Sequence, residues 1–486
     1  MARAMVCKVM WTLVLVALPA SLTGAKAADQ QVASPGAQSS LGFVKEPAKK
    51  VPVAYDVDVV VAGGGISGVF AALAAAREGA TTVLIDRFGY VGGSFGPGMM
   101  SQQGPIAEHG DAPASGPAGD PVKGGLAGLP KEFSREYFAL GSGTPERSLA
   151  DSNKAAYVAL KMLKEAGVTL MLSAYVADPI MEGNKVCGVF VENKSGRQAV
   201  KAKVVIDATG EADVARRAGT PILQPKAETY DLDHHSPTGM GIWAVVAGID
   251  PARFKGMEAS EFEAKKDIGD LAQVGCSGLV EIGPERHMRG IKAQLVRPHP
   301  KVDAGNAEHI SLLEAGVRMY IFEFVQHCRK NVPGCEDAYL LFTAPYLGCR
   351  GGPCIEGEYT LTMQDCREGK RFDDVIYRYG EPRAFRWMNE HGRVEWTDVP
   401  YRVMIPKKTD GLIAVGRSAS GIPDTLLRNR EGVMYMGQAG GTAAAMAAKS
   451  GIEPRAVDVK QLQRKLLKSG FHLGDRARLA ELGLVD

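Results

Sequence analysis

With 486 residues, 45% of them apolar, and a formal net charge of +2, the chain is long enough for about two or three domains. It carries no charge excess that would draw it to nucleic acid or an acidic polymer. Its 58 glycines exceed average usage and favour tight turns and close backbone approaches.

Residues 1–27 read as a secretory leader. Arg3 and Lys8 make a positive start, Trp11 to Leu18 is an apolar run, Pro19 breaks it, and Ala25-Lys26-Ala27 offers a small-x-small cleavage site. A membrane anchor is the other reading, but the run is short for a bilayer. Residues 28–53, with their Ser, Ala, Pro and Lys, read as a linker. The expected address is periplasmic or secreted, without a stable membrane anchor. In an oxidising compartment, Cys328 with Cys335 and Cys349 with Cys354 could close short loops. The seven cysteines after the leader are an odd number, so at least one stays free or pairs outside the chain. No Cys/His set has zinc-site spacing, and no metal is expected.

The first clear strand is Val57–Val61, followed by Ala62-Gly63-Gly64-Gly65-Ile66-Ser67-Gly68 and an Ala/Leu-rich helix over Val69–Glu78. Thr82–Ile85 is a second strand, ended by Asp86. Gly63, Gly65 and Gly68 fit G-x-G-x-x-G, with the acid 18 positions after the last glycine. Gly63 allows the sharp turn, Gly65 admits a pyrophosphate, and Gly68 lets helix and strand pack closely. The helix N-terminus offers N–H groups to phosphate, and Asp86 accepts from ribose hydroxyls. A glycine-rich turn in some other α/β protein is the bland alternative.

Gly92-Gly93, just beyond Asp86, lets the chain run beside a bulky ligand. Phe95–Arg147 is rich in Gly, Pro and Ser and is expected to hold a long loop near the cofactor. Asp151–Ala166 reads as a helix with Asp151 near its N-cap. Val168–Leu172 reads as a strand, and Ala174–Ala202 as a hairpin region turning at Gly183-Asn184 and Ser195-Gly196. Val204–Ile206 is a buried strand, with Asp207-Ala208-Thr209-Gly210 as its exit. Gly239–Gly248 is an apolar strand that opens a second region of strands and helices, reaching about Arg383. Trp396–Pro406 returns the chain. Leu412–Val415 is a strand, with Gly416 permitting close approach. The last major helix is expected from near Met436, where Gly437, Gly440, Gly441 and Ala443–Ala445 offer either a smooth bed for a flat ring system or tight helix packing. Pro454–Asp486 reads as a helical tail. No internal repeat is visible.

These segments point to FAD. No second G-x-G-x-x-G occurs, so no separate domain for a nicotinamide nucleotide is expected. AGGGISG, VVIDATGEADVA, GCRGGPCIEGEYTLT, VPYRVMIP, GLIAVGRSAS and R-x8-GQAGGTAAA starting at Arg428 occur in this order. Over about Tyr55–Gly451 the chain resembles the FAD-dependent oxidoreductases with a glutathione-reductase-like flavin domain, distant relatives of the fumarate reductase and succinate dehydrogenase flavoproteins. The chain departs from that pattern at Arg350-Gly351-Gly352-Pro353-Cys354, where the group carries an arginine-rich run.

The resemblance implies an α/β fold: a Rossmann-like FAD-binding domain of glutathione-reductase type with an inserted α+β substrate or cap domain. The expected division is 54–220 and 391–451 for the flavin domain, 221–390 for the cap, and 452–486 for the tail. The implied cofactor set is Gly63, Gly65, Ser67, Gly68, Asp86, Arg87, Gly92, Gly93, Ser94, Thr209, Gly210, Gly416, Arg417, Gly437 and Gly440. Catalytic candidates are Arg350, Tyr401, Arg402 and Arg428, where an arginine clamps a carboxylate or stabilises an oxyanion, or else forms a structural ion pair. His234-His235 could supply a base, bind a metal or be a plain surface loop, and His109 is a base candidate over the flavin or a plain loop residue. Cys349–Cys354 is expected as a structural disulfide, with a redox pair or two free thiols as alternatives. The expected function is hydride transfer between a small polar substrate and flavin N5, with a quinone, a cytochrome or oxygen as electron partner. A redox-neutral lyase or isomerase and a non-catalytic flavin-fold binding protein are the rivals.

Overall fold

The computed structural model describes residues 44–96, 98, 126–140, 151–223, 240–257, 265–268, 272–276, 278–282, 287–295, 302–349, 351–379, 397–421 and 430–485. The leader, His109, His234, His235, Arg350 and Arg428 lie outside the described residues.

The chain begins with β1 (Val53–Ala62), α1 (Ile66–Arg77) and β2 (Thr82–Ile85). Two helices, α2 (Gly128–Ala139) and α3 (Asp151–Glu165), lead to β3 (Thr169–Met171), β4 (Tyr175–Glu182), β5 (Lys185–Asn193) and β6 (Gly196–Asp207). α4 (Asp213–Arg217) and β7 (Ile222–Leu223) follow. Then come β8 (Met240–Ala247), β9 (Lys265–Ile268), β10 (Ala272–Cys276), β11 (Arg289–Leu295), α5 (Ala307–Asn331), β12 (Tyr339–Thr343), β13 (Gly348–Cys349) and β14 (Cys354–Ile355). The rest is α6 (Met363–Glu368), β15 (Val375–Tyr379), β16 (Thr397–Pro400), a 3-10 turn over Tyr401–Met404, β17 (Leu412–Ala414), α7 (Arg430–Ser450), α8 (Val459–Lys468) and α9 (Arg476–Glu481).

One sheet has the order β3-β2-β1-β6-β5-β4, with β17 also paired to β6. β3, β2, β1, β6 and β17 run parallel, while β4, β5 and β6 are antiparallel neighbours. The central strands are β-branched and buried, as parallel strands covered on both faces must be. A second sheet, order β12-β8-β11-β10-β9 with β13 on β8, is antiparallel. Val317, Tyr320, Ile321 and Phe324 of α5 share a core with Ile242, Val246 and Ile291. Asn306 caps α5 by accepting from the Glu308 and His309 N–H groups.

α1 and α7 pack against each other through small residues. A Cβ on Gly437 would stand 2.3 Å from the Ser67 carbonyl oxygen, and one on Gly441 2.1 Å from that of Ala71. Gly440 faces Val415, whose Cγ1 would be 2.6 Å away. At Gly437 and Gly440 the structure thus shows the tight-packing alternative: the room of Gly437 is filled by α1 and that of Gly440 by Val415, just past β17. α7 also begins at Arg430 rather than near Met436.

The expected long loop over 95–147 contains α2, which buries Leu129, Phe133 and Tyr137 at helical spacing. Its start is held from a distance: the Ala127 N–H donates to Tyr435 Oη (2.8 Å) and the Leu129 N–H to Gln438 Oε1 (2.9 Å). Those caps come from α7, some three hundred residues away, so no local cap marks the helix.

The cysteine expectation is also corrected. All seven described cysteines are free thiols. Cys349 pairs with Met240 on the second sheet, whereas Cys354 pairs with Leu223 of β7.

Candidate functional site: a glycine-lined cradle at the ends of β1, β2, β6 and β17

Strands β1, β2, β6 and β17 end side by side, and their exits bond to one another. Gly63 N–H donates to Ile85 O (2.8 Å), Ala208 N–H to Ala62 O (2.8 Å) and Val415 N–H to Asp207 O (2.9 Å). Gly63 has φ 105°, and a Cβ there would stand 2.5 Å from Ala208 O, so glycine is required on both counts. A Cβ on Gly68 would reach 1.9 Å from Gly63 O. Gly65 differs: it has φ −63°, and a Cβ there meets none of the described residues within 4 Å.

Gly65 is also the N-cap of α1, with no side-chain cap and no acidic residue in the first turn. The first N–H groups of a helix lack intrahelical acceptors and carry partial positive charge. Here they lie beside the side of Gly65 that no described residue fills. Gly92 closes the far side, donating its N–H to Gly64 O (2.8 Å), and a Cβ on Gly93 would lie 2.8 Å from Gly65 Cα.

Asp86 sits at the end of β2, almost fully buried. Its Oδ2 accepts from Gly64 N–H (2.5 Å) and its Oδ1 from Phe88 N–H (2.8 Å). A carboxylate has about four acceptor sites, so two remain for hydroxyl donors. Burial pushes the Asp86 carboxyl up, and those two N–H groups with the Arg87 guanidinium pull it back.

On the opposite side, Asp207 joins the exit of β6 to α4 and to the turn after β17. Its Oδ1 accepts from Thr209 N–H (3.1 Å), Thr209 Oγ1 (2.7 Å) and Ser418 Oγ (3.2 Å), and its Oδ2 from Ala215 N–H (3.0 Å). Complete burial pushes its carboxyl up against those hydrogen bonds. Ser418 Oγ in turn accepts from the Gly210 and Ala212 N–H groups, both at 3.1 Å. Neither Asp207 nor Ser418 stands out in the sequence, because each acts on partners that only folding brings near. Gly416 lies against α1, where a Cβ would meet Ser67 Oγ at 2.6 Å. Arg417 pairs with Glu211, and its Nη1 is buried without a hydrogen-bond partner among the described residues.

The structure thus brings Gly63, Gly65, Ser67, Gly68, Asp86, Gly92, Gly93, Thr209, Gly210, Gly416 and Arg417 to one place. Arg87 and Ser94 flank it, exposed. Two catalytic candidates have partners within the protein. Tyr401 is buried and donates its hydroxyl to Pro454 O (2.8 Å). Arg402 forks onto Asp374 through Nε (2.9 Å) and Nη2 (3.0 Å), a structural ion pair. Arg402 thus matches the ion-pair alternative, and the Tyr401 hydroxyl has a main-chain partner.

Among the described residues, no group of three or more His, Cys, Asp and Glu could hold a metal ion, and no helix is long and apolar enough to cross a membrane. An adenine dinucleotide fits what is present: an open, uncapped helix start for phosphate, a carboxylate with spare acceptor sites for ribose, and an unclaimed guanidinium nitrogen.

Sheet and cradle define a mixed α/β FAD-binding fold. The chain belongs to the FAD dependent oxidoreductase family, whose pattern matches residues 58–466. It is 29% identical over 255 residues to digeranylgeranylglycerophospholipid reductase 1 of Methanopyrus kandleri, covering 46% of this chain and 65% of that one. It is 29% identical over 164 residues to thiamine thiazole synthase of Methanococcus vannielii, covering 32% and 56% respectively. The chain therefore spans less than two thirds of either relative. Among solved structures, a geranylgeranyl bacteriochlorophyll reductase-like protein from Thermoplasma acidophilum aligns over 89% of both chains, at 15% identity and a TM-score of 0.42.

Proposed function

We propose that the chain is an exported FAD-dependent dehydrogenase or reductase that passes hydride between a small polar substrate and the flavin. The observation that carries the reading is the open side of Gly65, where a Cβ would meet none of the described residues within 4 Å, at an uncapped helix start beside Asp86. The flavin, when bound, supplies hydride acceptance and donation at N5.

The chain's own residues do the rest. The first N–H groups of α1 hold the pyrophosphate, and Asp86 accepts from the ribose hydroxyls. Gly92, Gly93, Thr209, Gly210 and Gly416 keep side chains out of the cofactor's path. Arg417 presents Nη1 to an anionic group of cofactor or substrate. The flavin domain is of glutathione-reductase type and is made of residues 54–220 and 391–451. Residues 221–390, with the second sheet, form the cap, 452–486 a helical tail, and residues 1–27 direct export to the periplasm or beyond. A quinone, a cytochrome or oxygen exchanges electrons with the flavin.

The similarity to a lipid reductase favours a second reading, an apolar prenyl substrate. Met319 and Phe322 of α5 and Leu341 and Phe342 of β12 are exposed, which supports it. The test is anaerobic. The purified protein should show a flavin spectrum that bleaches with one member of a panel of polyols, sugars and organic acids. Bleaching only by reductant, with reoxidation by an unsaturated prenyl lipid, favours the second reading. Turnover without any change in flavin absorbance rejects both and leaves a redox-neutral reaction.

A further inference from the structure

We propose that the Ala344–Cys349 turn is a strap by which the second sheet closes over the adenosine end of the bound FAD, with Tyr346 as its contact residue. The inference rests on the reading of the cradle as the FAD site.

The turn joins β12 to β13, and α5 fixes its root. Glu314 Oε1 accepts from Leu347 N–H (2.5 Å), and Glu314 Oε2 pairs with Arg318 Nη2 (2.8 Å). Arg318 also donates to Ala344 O (3.1 Å) and to Thr343 Oγ1 (2.5 Å). Leu347 is buried in the core of the second sheet. The root is therefore rigid and belongs wholly to that sheet.

Tyr346 reaches the other way, to the exit of β2. Its ring stacks on Phe88 with centroids 4.7 Å apart at 21°, and Phe88 stacks on Tyr90 at 5.3 Å and 8°. Its hydroxyl lies 3.7 Å from where a Cβ on Gly93 would stand, and the Ser94 side chain is a hydrogen-bond partner. Gly93 is the residue that touches Gly65. The aromatic ladder thus runs Tyr90–Phe88–Tyr346, with its middle rung two residues after Asp86 and the Tyr346 hydroxyl beside the glycine turn that walls the cradle.

A ribose held by Asp86 delivers its base to this ladder. Flat aromatic faces are what a purine stacks on. The ladder also carries one unclaimed polar group: Tyr90 Oη is buried without a hydrogen-bond partner among the described residues. Burial raises the Tyr90 phenol to about 12 and pushes that of Tyr346 up as well, so both are neutral donors at physiological pH. A ring nitrogen of adenine satisfies the orphan. The strap is rooted in one sheet and already rests on Phe88 of the other, so a bound ligand adds a further contact between the two.

The experiment compares binding of FAD, ADP and FMN to flavin-free wild type, Tyr346→Ala, Tyr346→Leu and Tyr346→Phe, with the melting temperature of each measured without ligand. Tyr346→Ala and Tyr346→Leu should weaken FAD and ADP by similar factors, about 5- to 150-fold, the span of base–aromatic stacking. FMN, which lacks adenosine, should bind as to wild type, and Tyr346→Phe should keep most of the affinity. If Tyr346→Ala melts early, Tyr346→Leu carries the test, since it keeps apolar bulk without the ring. The proposal is overturned if FAD affinity is unchanged in both, or if FMN weakens as much as ADP. Wild type that takes up neither FAD nor ADP overturns the cradle reading itself, and the strap with it. Wild type that binds FAD while the variants match it overturns the strap alone.

Discussion

The β1–α1 turn and the α1–α7 interface are both rich in glycine, and they use the missing Cβ atoms in opposite ways. At Gly437 and Gly441 the room is taken by the backbone of α1. At Gly63 it is taken by the main chain of Ala208 at the exit of β6, and at Gly68 by the main chain of Gly63 in the turn itself. At Gly65 no described residue fills it. A glycine in a sequence announces that room is needed without saying what fills it. Only the position that stays vacant after folding is a claim about a ligand.

That contrast is breakable at each position, and the largest effect is expected at Gly68. Gly68→Ala places a Cβ 1.9 Å from Gly63 O, against backbone that cannot yield. It should cost at least the ~1–3 kcal/mol of ordinary overpacking, measured by denaturant unfolding, and yield little soluble protein. Gly441→Ala should come next, at about 1–3 kcal/mol, because α1 and α7 must move apart. It should lower the melting temperature of flavin-free and flavin-loaded protein alike. A selective loss of flavin binding there would return α7 to the role of a ring bed.

Asp207→Asn tests the hub behind the cradle. An amide turned to accept from Thr209 and Ser418 points its NH2 at the Ala215 N–H, and two facing donors leave a buried group unsatisfied at about 1–3 kcal/mol. The sign of the pH effect follows from the raised carboxyl. Folded Asp207 binds its proton more tightly than the unfolded chain does. Its contribution to stability is therefore full below the ordinary aspartate value near 3.8 and is lost as pH rises through the folded value. Asp207→Asn should remove that dependence, read from unfolding between acid and neutral pH. The smallest effect is expected at Tyr401→Phe. It leaves Pro454 O without its donor, costs about 1 kcal/mol, and leaves flavin reduction by substrate unchanged. A large fall in turnover at unchanged stability would restore Tyr401 to the reaction.

Much of the cradle is legible in sequence because it is made of main chain, and main-chain geometry leaves a residue-type signature. Gly63, Gly65 and Gly68 between a β-branched run and an Ala-rich helix, with Asp86 behind, have few other uses. The strands over 57–61 and 82–85 and the helix from Asp151 reappear, the first extended at its start, while 204–206 is the end of the longer β6 (Gly196–Asp207). What was not legible depends on partners far away in the chain. α2 is capped by Tyr435 and Gln438, Asp207 bonds to Ser418, and Tyr346 meets Phe88 across two sheets. Tyr401 and Arg402 sit in a conspicuous motif, but their side chains hold Pro454 and Asp374, which no spacing rule connects to them.

The central claim is that the open side of Gly65 is where the FAD pyrophosphate lies. Because Gly65 has φ −63° and a Cβ there meets none of the described residues within 4 Å, the free protein should tolerate a larger residue there. Titration of flavin-free Gly65→Val with FAD, followed by flavin fluorescence, tests this directly. The account predicts a melting temperature without FAD close to wild type and FAD affinity lowered by at least about a hundredfold, the equivalent of ~2.7 kcal/mol. A variant that folds normally and binds FAD as tightly as wild type would contradict it.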